Sequence, residues 1–277
     1  MVFGMKVRRR TAAALVLAGS VATGCDRHVE EAAPPPAPEP ATPSPAPYST
    51  LDRAAILAAI EAAASRAAAG VARPGPDPMA GRTFSLSLAF GCFGPQATPP
   101  GEAAAPDGTP RWTVAADGRS IRLTFSPADW SSGDVSGPAP EGFETLSGVW
   151  INQPWMRSEA CPAWSVRDAD APAVPLPARA AALVMVRPTG GSRVGRSGDQ
   201  TFNHVVRAGS EGPVARPAQG YRLVLEGRLV AWADGQVIRC RVISPEQPPA
   251  CVVGAAVDRV AFVDGATGAL LSEWRPG

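Results

Sequence analysis

Thr83-Phe84-Ser85-Leu86-Ser87-Leu88-Ala89-Phe90 is the stretch that decides the fold of this 277-residue chain. Large apolar side chains alternate in it with small or polar ones. A helix would instead repeat its apolar positions every three or four residues. Alternation with a period of two therefore predicts a β-strand with one face against a protein core, in a domain built on β-sheet.

Three Asp-Gly pairs lie between apolar segments further along the chain. Asp-Gly favours the two-residue turns that join antiparallel neighbours, because both positions of such a turn need a positive φ. Each pair therefore predicts a hairpin, and together they predict a sheet whose pairing is local and antiparallel. The predicted hairpins join residues 112–115 to 121–125 through Asp117-Gly118, residues 221–232 to 237–243 through Asp234-Gly235, and residues 257–263 to 269–274 through Asp264-Gly265.

A helix is predicted ahead of the first strand. Ser49 is expected to cap its first turn, and Asp52, three residues later, completes a pattern like a capping box. An alanine-rich run through Ala69 has high helix propensity, and Gly70 suits the helix end. The predicted fold class is mainly β, with an N-terminal helix followed by antiparallel sheet, barrel-like or sandwich, within residues 49–277.

One more strand is predicted at residues 181–186, a continuous apolar run. Three other segments are rich in Gly, Pro and Ser, which favour turns and irregular structure. The predicted loops are residues 96–110, 130–141 and 190–217.

The first 24 residues have the three parts of an export signal. A basic region with Lys6 is followed by an apolar stretch, residues 11–21, that is too short to span a bilayer as a helix. The stretch Val21-Ala22-Thr23-Gly24-Cys25 resembles the lipobox of bacterial lipoproteins, with Ala22 where the family usually has Leu. The resemblance implies cleavage before Cys25 and lipid on its thiol. The alternative is an ordinary signal peptide with a chance cysteine.

Residues 25–48 follow the signal and are expected to form a Pro/Ala-rich spacer between the lipidated Cys25 and the folded domain. A spacer of this kind would hold residues 49–277 off a membrane, in the periplasm. Asp26 resembles the inner-membrane retention signal of enterobacterial lipoproteins, and this resemblance favours the inner membrane. The expected partner is therefore a membrane, to which the lipid on Cys25 anchors the protein.

Charge argues against a nucleic-acid partner. Residues 1–24 hold four of the 26 basic residues and none of the 25 acidic ones, so the mature chain has 22 basic against 25 acidic residues, a net charge of −3. Nucleic acid needs a basic face. Lys6 is the only lysine, so the mature protein has no lysine nucleophile.

Four cysteines remain for the mature fold, and an exported domain meets an oxidising compartment. Three disulfide pairings are possible. Cys240–Cys251 is favoured, because a hairpin that turns near Pro245-Glu246 places these two residues opposite each other. Cys92–Cys161 is then the second pair. The alternative is a zinc site, although the chain has no Cys-x-x-Cys pair.

Candidate chemistry is sparse, and no cofactor and no metal are expected. His28 lies in the spacer, so His204 is the one histidine that could act as a general base in the folded domain. A triad with Asp199 and either Ser197 or Ser210 can be drawn, but no Gly-x-Ser-x-Gly motif supports it. A glycosidase-like carboxylate pair would come from Glu141, Glu144 and Glu159. The alternative for His204 is a structural or simply exposed side chain.

The most distinctive segment is rich in tryptophan and runs over residues 142–164. Aromatic side chains there could form a binding surface, or they could pack around the Cys161 disulfide. The candidate binding patch comprises Trp150, Trp155, Arg157 and Trp164.

The sequence thus favours a membrane-anchored envelope lipoprotein that acts as a non-enzymatic binding or accessory module, with an envelope protein as candidate partner. The alternatives are a periplasmic hydrolase that uses His204 or a carboxylate pair, and a purely structural domain on a stalk.

Overall fold

The computed structural model describes residues 49–95, 107–130, 142–162, 180–188, 201–209, 212–215 and 217–275. They belong to one compact unit, Pro47–Gly277. The predicted export signal, Cys25, Asp26 and the spacer therefore lie outside the described residues. The elements in chain order are α1 (Arg53–Ala68), β1 (Thr83–Phe90), β2 (Arg111–Val114), β3 (Ser120–Phe125), β4 (Ala128–Asp129), β5 (Phe143–Trp150), β6 (Ala181–Pro188), β7 (Phe202–Arg207), β8 (Tyr221–Leu229), β9 (Ile238–Arg241), β10 (Ala250–Asp264) and β11 (Leu270–Trp274).

The strands form two sheets in a sandwich-like arrangement, so the mainly β fold class is confirmed. The larger sheet has the order β1-β8-β10-β6-β5-β4, and β9 and β11 also pair with β10. The smaller sheet has the order β2-β3-β7. Strand β10 spans 15 residues, which is long enough to pair with four other strands along its length.

The main core contains apolar side chains from both sheets and from the helix. On β1, Phe84, Leu86, Leu88 and Phe90 are at most 3% exposed, as the alternation in the sequence predicts. A second buried cluster contains Trp130 and Trp232. Strand β6 contributes Leu183 to the main core and Val184 to the second cluster, so both of its faces are buried. Burial on both faces explains why β6 reads as a continuous apolar run in the sequence.

The helix begins three residues later than the sequence predicts. Asp52, and not Ser49, is the N-cap, and its carboxylate accepts a hydrogen bond from the Ala55 amide at 2.8 Å. Leu51 instead lies beside β1, where its amide donates to the Thr83 carbonyl and its carbonyl accepts from the Ser85 amide. These backbone bonds hold residues 49–51 extended and delay the helix to Arg53.

Two of the three predicted hairpins are confirmed and one is wrong. Asp117-Gly118 joins β2 to β3, and Asp264-Gly265 joins β10 to β11, with antiparallel pairing in both. Asp234-Gly235 does form a turn, but in the described residues β8 and β9 each pair with β10 and not with each other. The turn reverses the chain, whereas the partner of each strand is set by the long β10 that follows.

Two more features of the sheets differ from the predictions. Strand β6 pairs with β10 in parallel, so the larger sheet is mixed and not purely antiparallel. Strand β7 lies within residues 190–217, which the composition predicts to be a loop. Its Phe202 is buried in the main core and stacks on Phe125 of β3. This tertiary contact outweighs the loop-like composition on either side.

The structure contains the disulfides Cys92–Cys161 and Cys240–Cys251, which are the two pairs that the sequence favours. Cys240 and Cys251 face each other in the register of β9 and β10, as the hairpin argument predicts. Both cysteine pairs are consumed in these bonds, so the zinc alternative for the four thiolates does not apply. Cys92–Cys161 joins the end of β1 to the segment that follows β5.

Candidate functional site: the Trp155 loop

Residues 151–162, here called the Trp155 loop, follow β5 and end beside the Cys92–Cys161 disulfide. Its Trp155 side chain is 66% exposed, the largest value among the large apolar side chains of the described residues. A side chain as large and apolar as an indole is normally stabilised by burial. Its exposure is therefore the feature of this loop that needs a functional explanation.

A β-turn presents Trp155 to the solvent. The Met156 amide donates a hydrogen bond of 2.8 Å to the Gln153 carbonyl, which closes a turn with Pro154 in its second position and Trp155 in its third. Proline favours the second position because its ring fixes φ near the value that the turn needs. Gln153 has a φ of 51° and is the one described non-glycine residue with a positive φ. The local sequence thus holds the indole at the outer corner of a defined turn.

Arg53, the first residue of α1, fixes this turn from the inside. Its guanidinium is buried, with 3% of the residue exposed. It donates hydrogen bonds to three carbonyls of the loop: Asn152 at 2.7 Å, Gln153 at 3.1 Å and Met156 at 3.0 Å. A fourth bond of 3.3 Å reaches the Ser87 carbonyl of β1. One side chain therefore ties the turn to both the helix and the sheet.

The charge of Arg53 is compensated by carbonyl dipoles. Burial lowers the pKa of Arg53, and the negative charge of Glu159 partly opposes this shift. Within the part of the chain that the structure describes, no carboxylate forms an ion pair with Arg53. Burying a guanidinium costs free energy unless its donors are satisfied, and a planar fork with five donors suits a set of converging carbonyls. A buried charged side chain therefore holds one surface turn in a fixed conformation.

The surface around Trp155 is electrically balanced. Arg157 pairs with Glu61 of α1 at 3.1 Å, and both side chains are well exposed, at 58% and 76%. An exposed pair of this kind contributes little to stability. At the far end of the loop, the disulfide brings Cys161 beside Cys92, and the neighbouring Phe93 is 56% exposed. The disulfide thus joins two segments that each carry an exposed aromatic ring.

The structure brings together only part of the candidate patch. Trp155 and Arg157 share the Trp155 loop, but Trp150 lies on β5 and packs against the second buried cluster. The ring centroids of Trp150 and Trp130 are 4.8 Å apart. Trp150 and Ile151 point to opposite faces of the sheet, because Ile151 belongs to the main core. Trp164 lies outside the described residues. Packing therefore accounts for Trp150, and exposure is the property that distinguishes Trp155.

His204 lies on β7 opposite Leu123 of β3. Burial and, to a smaller extent, the positive charge of Arg207 lower the pKa of His204. Among the described residues, no hydroxyl or carboxylate forms a hydrogen bond with it. Ser197, Asp199 and Ser210 lie outside the described residues, so the hydrolase stays a prediction.

The predicted carboxylate pair is not assembled by the described residues. Glu141 and the side chain of Glu144 lie outside them, and Glu159 is on the Trp155 loop. In the described ranges, no cluster of three or more His, Cys, Asp or Glu side chains could hold a metal ion.

A shallow groove elsewhere on the domain lies beside a β-bulge, where Asp258 is the extra residue of β10. Arg259 bonds there to Glu273 at 2.8 Å and to Glu226 at 3.0 Å. The hydrogen bond to Glu273, against the opposing effect of burial, raises the pKa of Arg259. Arg259 of β10 thus pairs with carboxylates on both neighbouring strands, β8 and β11, which is a structural role.

Comparison of the chain with protein-family models, with curated proteins and with solved structures gave no match. Over the residues that the structure describes, no helix combines the length and the apolar character that crossing a membrane requires.

Proposed function

We propose that this protein is a cell-envelope lipoprotein, anchored to a membrane by lipid on Cys25, whose folded domain is a non-enzymatic binding or accessory module. The exposed Trp155 on its fixed turn is the observation that carries the proposal. Its location is the periplasmic side of a membrane, and Asp26 favours the inner membrane. The Trp155 loop is the surface through which the module contacts another component of the envelope.

Rigidity supports a binding role for the loop. A flexible loop loses conformational freedom on binding, and that loss reduces affinity. Three hydrogen bonds from Arg53 and the Cys92–Cys161 bond restrict this loop before any partner binds. Tryptophan is also among the residues that contribute most to binding when they are buried at an interface. A rigid turn that presents an indole fits contact better than it fits isolated stability.

Two observations support export. The paired cysteines suit an oxidising compartment outside the cytoplasm. The basic, apolar and small-residue parts of residues 1–24 precede Cys25 in the order that an export signal needs.

Fractionation of cells tests the anchor. The wild-type chain is expected in the membrane fraction, and Cys25→Ser is expected in the soluble periplasmic fraction or as an uncleaved precursor. A Cys25→Ser protein that is still cleaved and still bound to the membrane would contradict the proposal. Trp155→Ala serves as the control, because it leaves the anchor intact and should fractionate with the wild type.

Cross-linking in native membranes tests the contact loop. A photoreactive amino acid at position 155 is expected to cross-link to an envelope component, whether protein or lipid. The same group at position 243 is the matched control, because Ile243 is similarly exposed, at 65%, on a different segment. Equal yields at the two positions would show that the Trp155 loop is no special contact surface.

A further inference from the structure

We infer that the Trp155 loop contacts the interfacial region of the bilayer that holds the lipid on Cys25, with the Trp155 indole at headgroup depth. The inference rests on the proposed anchor and names the component that the loop contacts. The length of the connection to Cys25 and the chemistry of the exposed side chains support it.

The first residue of α1 contacts the Trp155 loop. The described chain begins at Ser49, four residues before Arg53, and Leu51 is bonded to β1. Arg53 then bonds to the carbonyls of Asn152 and Met156, on either side of the Trp155 turn. Four positions in the chain therefore separate Arg53, which holds the turn, from Ser49, which lies against Arg82 just before β1.

The length of the connection allows a second point of attachment. Residues 26–48 separate Cys25 from Ser49. These 23 residues can span at most about 80 Å when fully extended, so the start of the domain stays within that distance of the lipid. Such confinement raises the effective concentration of the bilayer at the loop, so a contact too weak to bind a free protein becomes populated.

The chemistry of the exposed groups fits the interface of a bilayer. Tryptophan is enriched where hydrocarbon meets water, because its ring is apolar and its N–H remains hydrated. Trp155 is exposed at a turn, and Phe93 is exposed beside the disulfide that ends the loop. Arg157 is paired with Glu61, so the described part of the loop presents no basic cluster that would favour anionic lipid.

The neighbours of Trp155 favour a bilayer over a protein partner. A typical protein interface covers about 800 Å² on each side and has an apolar centre. The exposed residues that follow Trp155 in the loop are Arg157, Ser158 and Ala160, which are charged or small. One projecting indole with a polar surrounding suits insertion between headgroups.

Fluorine NMR of the lipidated full mature chain in phosphatidylcholine nanodiscs tests the inference. Labelling with 5-fluorotryptophan gives one signal for each of the seven tryptophans, and the signal missing in Trp155→Phe identifies Trp155. A spin-labelled lipid is expected to broaden the Trp155 signal at least twofold more than the signal of the buried Trp112. A water-soluble paramagnetic chelate is expected to broaden the Trp155 signal less on the nanodisc than in the lipid-free Cys25→Ser protein. Because no anionic lipid is needed, the broadening should not change between about 50 and about 500 mM salt.

Three results would count against the inference. Protein that stays on the nanodisc through its lipid, with a Trp155 signal broadened only by the water-soluble chelate, overturns the bilayer contact and leaves the anchor standing. A chain that does not stay on the nanodisc overturns both proposals. If the photoreactive group at position 155 cross-links in native membranes to protein and not to lipid, the partner of the loop is a protein.

Discussion

Arg53 shows how one residue can set the geometry of a surface. It occupies the first position of a helix, where the helix dipole disfavours a positive charge, and no acidic residue accompanies it in the first turn. Its four bonds to carbonyls explain why a cation is placed there. A basic residue directly after an N-cap was the signal in the sequence that could have singled it out. Its partners could not be named, because three of them are about 100 residues away.

Replacing Arg53 with methionine is expected to lower the free energy of unfolding by about 3 kcal/mol. Methionine fills similar space but leaves buried carbonyls without donors, and an unsatisfied buried acceptor is costly. Denaturant unfolding of the two proteins measures the change. Arg66→Met, at the other end of the same helix, is the matched control and should cost less than about 1 kcal/mol. Equal losses in the two variants would mean that the bonds to the loop contribute nothing.

His204 predicts a dependence of stability on pH. Burial and Arg207 lower its pKa in the folded state below the ordinary value of 6.5. The unfolded chain therefore takes up the proton first as pH falls, and this favours unfolding. The stability that the neutral imidazole contributes is complete above about pH 6.5 and decreases as pH falls toward the lower folded-state pKa.

Unfolding measured from about pH 7.5 down to about pH 5.5 should thus show a loss of stability in the wild type. His204→Gln cannot take up this proton and should lose less over the same range. At about pH 7.5 the two proteins should be similar, which serves as the internal control. Parallel curves for the two proteins would show that His204 has the same pKa in both states.

At the scale of single elements, Gly91 determines how β1 leaves the sheet. It has a φ of 70°, and a Cβ atom built on it would lie 1.9 Å from Nε1 of Trp112. Trp112 is buried in the main core, and its ring packs edge-on against that of Tyr221, with the ring centroids 5.8 Å apart. The chain can therefore pass over this indole toward Cys92 only where no side chain is present.

Gly91→Ala is expected to destabilise the protein by about 3 kcal/mol, from the strained φ together with the collision with Trp112. Gly75→Ala is the matched control, since Gly75 has a φ of 74° with no atom within 4 Å of the added Cβ. It should cost about 1 kcal/mol, for the backbone strain alone. The difference in unfolding free energy between the variants isolates the collision. No difference would mean that Trp112 moves aside freely.

Local pattern predicts elements better than it predicts their partners. The alternation of β1, the turn between β2 and β3 and the register of Cys240 with Cys251 all depend on residues close in sequence, and the structure has each of them. The parallel pairing of β6 with β10 joins residues about 70 positions apart and leaves no trace in periodicity. The site divides in the same way: Trp155 is visible in the sequence, whereas the bonds of Arg53 to its turn are not.

At the scale of the whole molecule, three early parts of the chain hold the Trp155 loop, and the second acts through the first, because the Ser87 carbonyl holds the Arg53 guanidinium. The helix start supplies Arg53, the edge strand β1 supplies the Ser87 carbonyl, and the disulfide supplies Cys92. Each comes from a part of the chain before residue 95, while the loop begins at residue 151. The N-terminal part of the domain therefore acts as a support for a loop that follows β5, and damage to any of the three should loosen the same surface.

The two disulfides should differ in their contribution to stability because they close loops of different length. Cys92–Cys161 spans 69 residues of sequence and Cys240–Cys251 spans 11. A cross-link removes more freedom from the unfolded chain when its loop is longer, which predicts losses of about 4 and about 3 kcal/mol when each pair is replaced by alanine. Denaturant unfolding gives these values, and hydrogen exchange shows where each variant loosens. Faster exchange in the Trp155 loop is expected only for the Cys92→Ala, Cys161→Ala variant, with the other pair as its control. If both variants loosen the loop equally, or neither does, the Cys92–Cys161 bond does not hold that surface, and Arg53 alone fixes the turn.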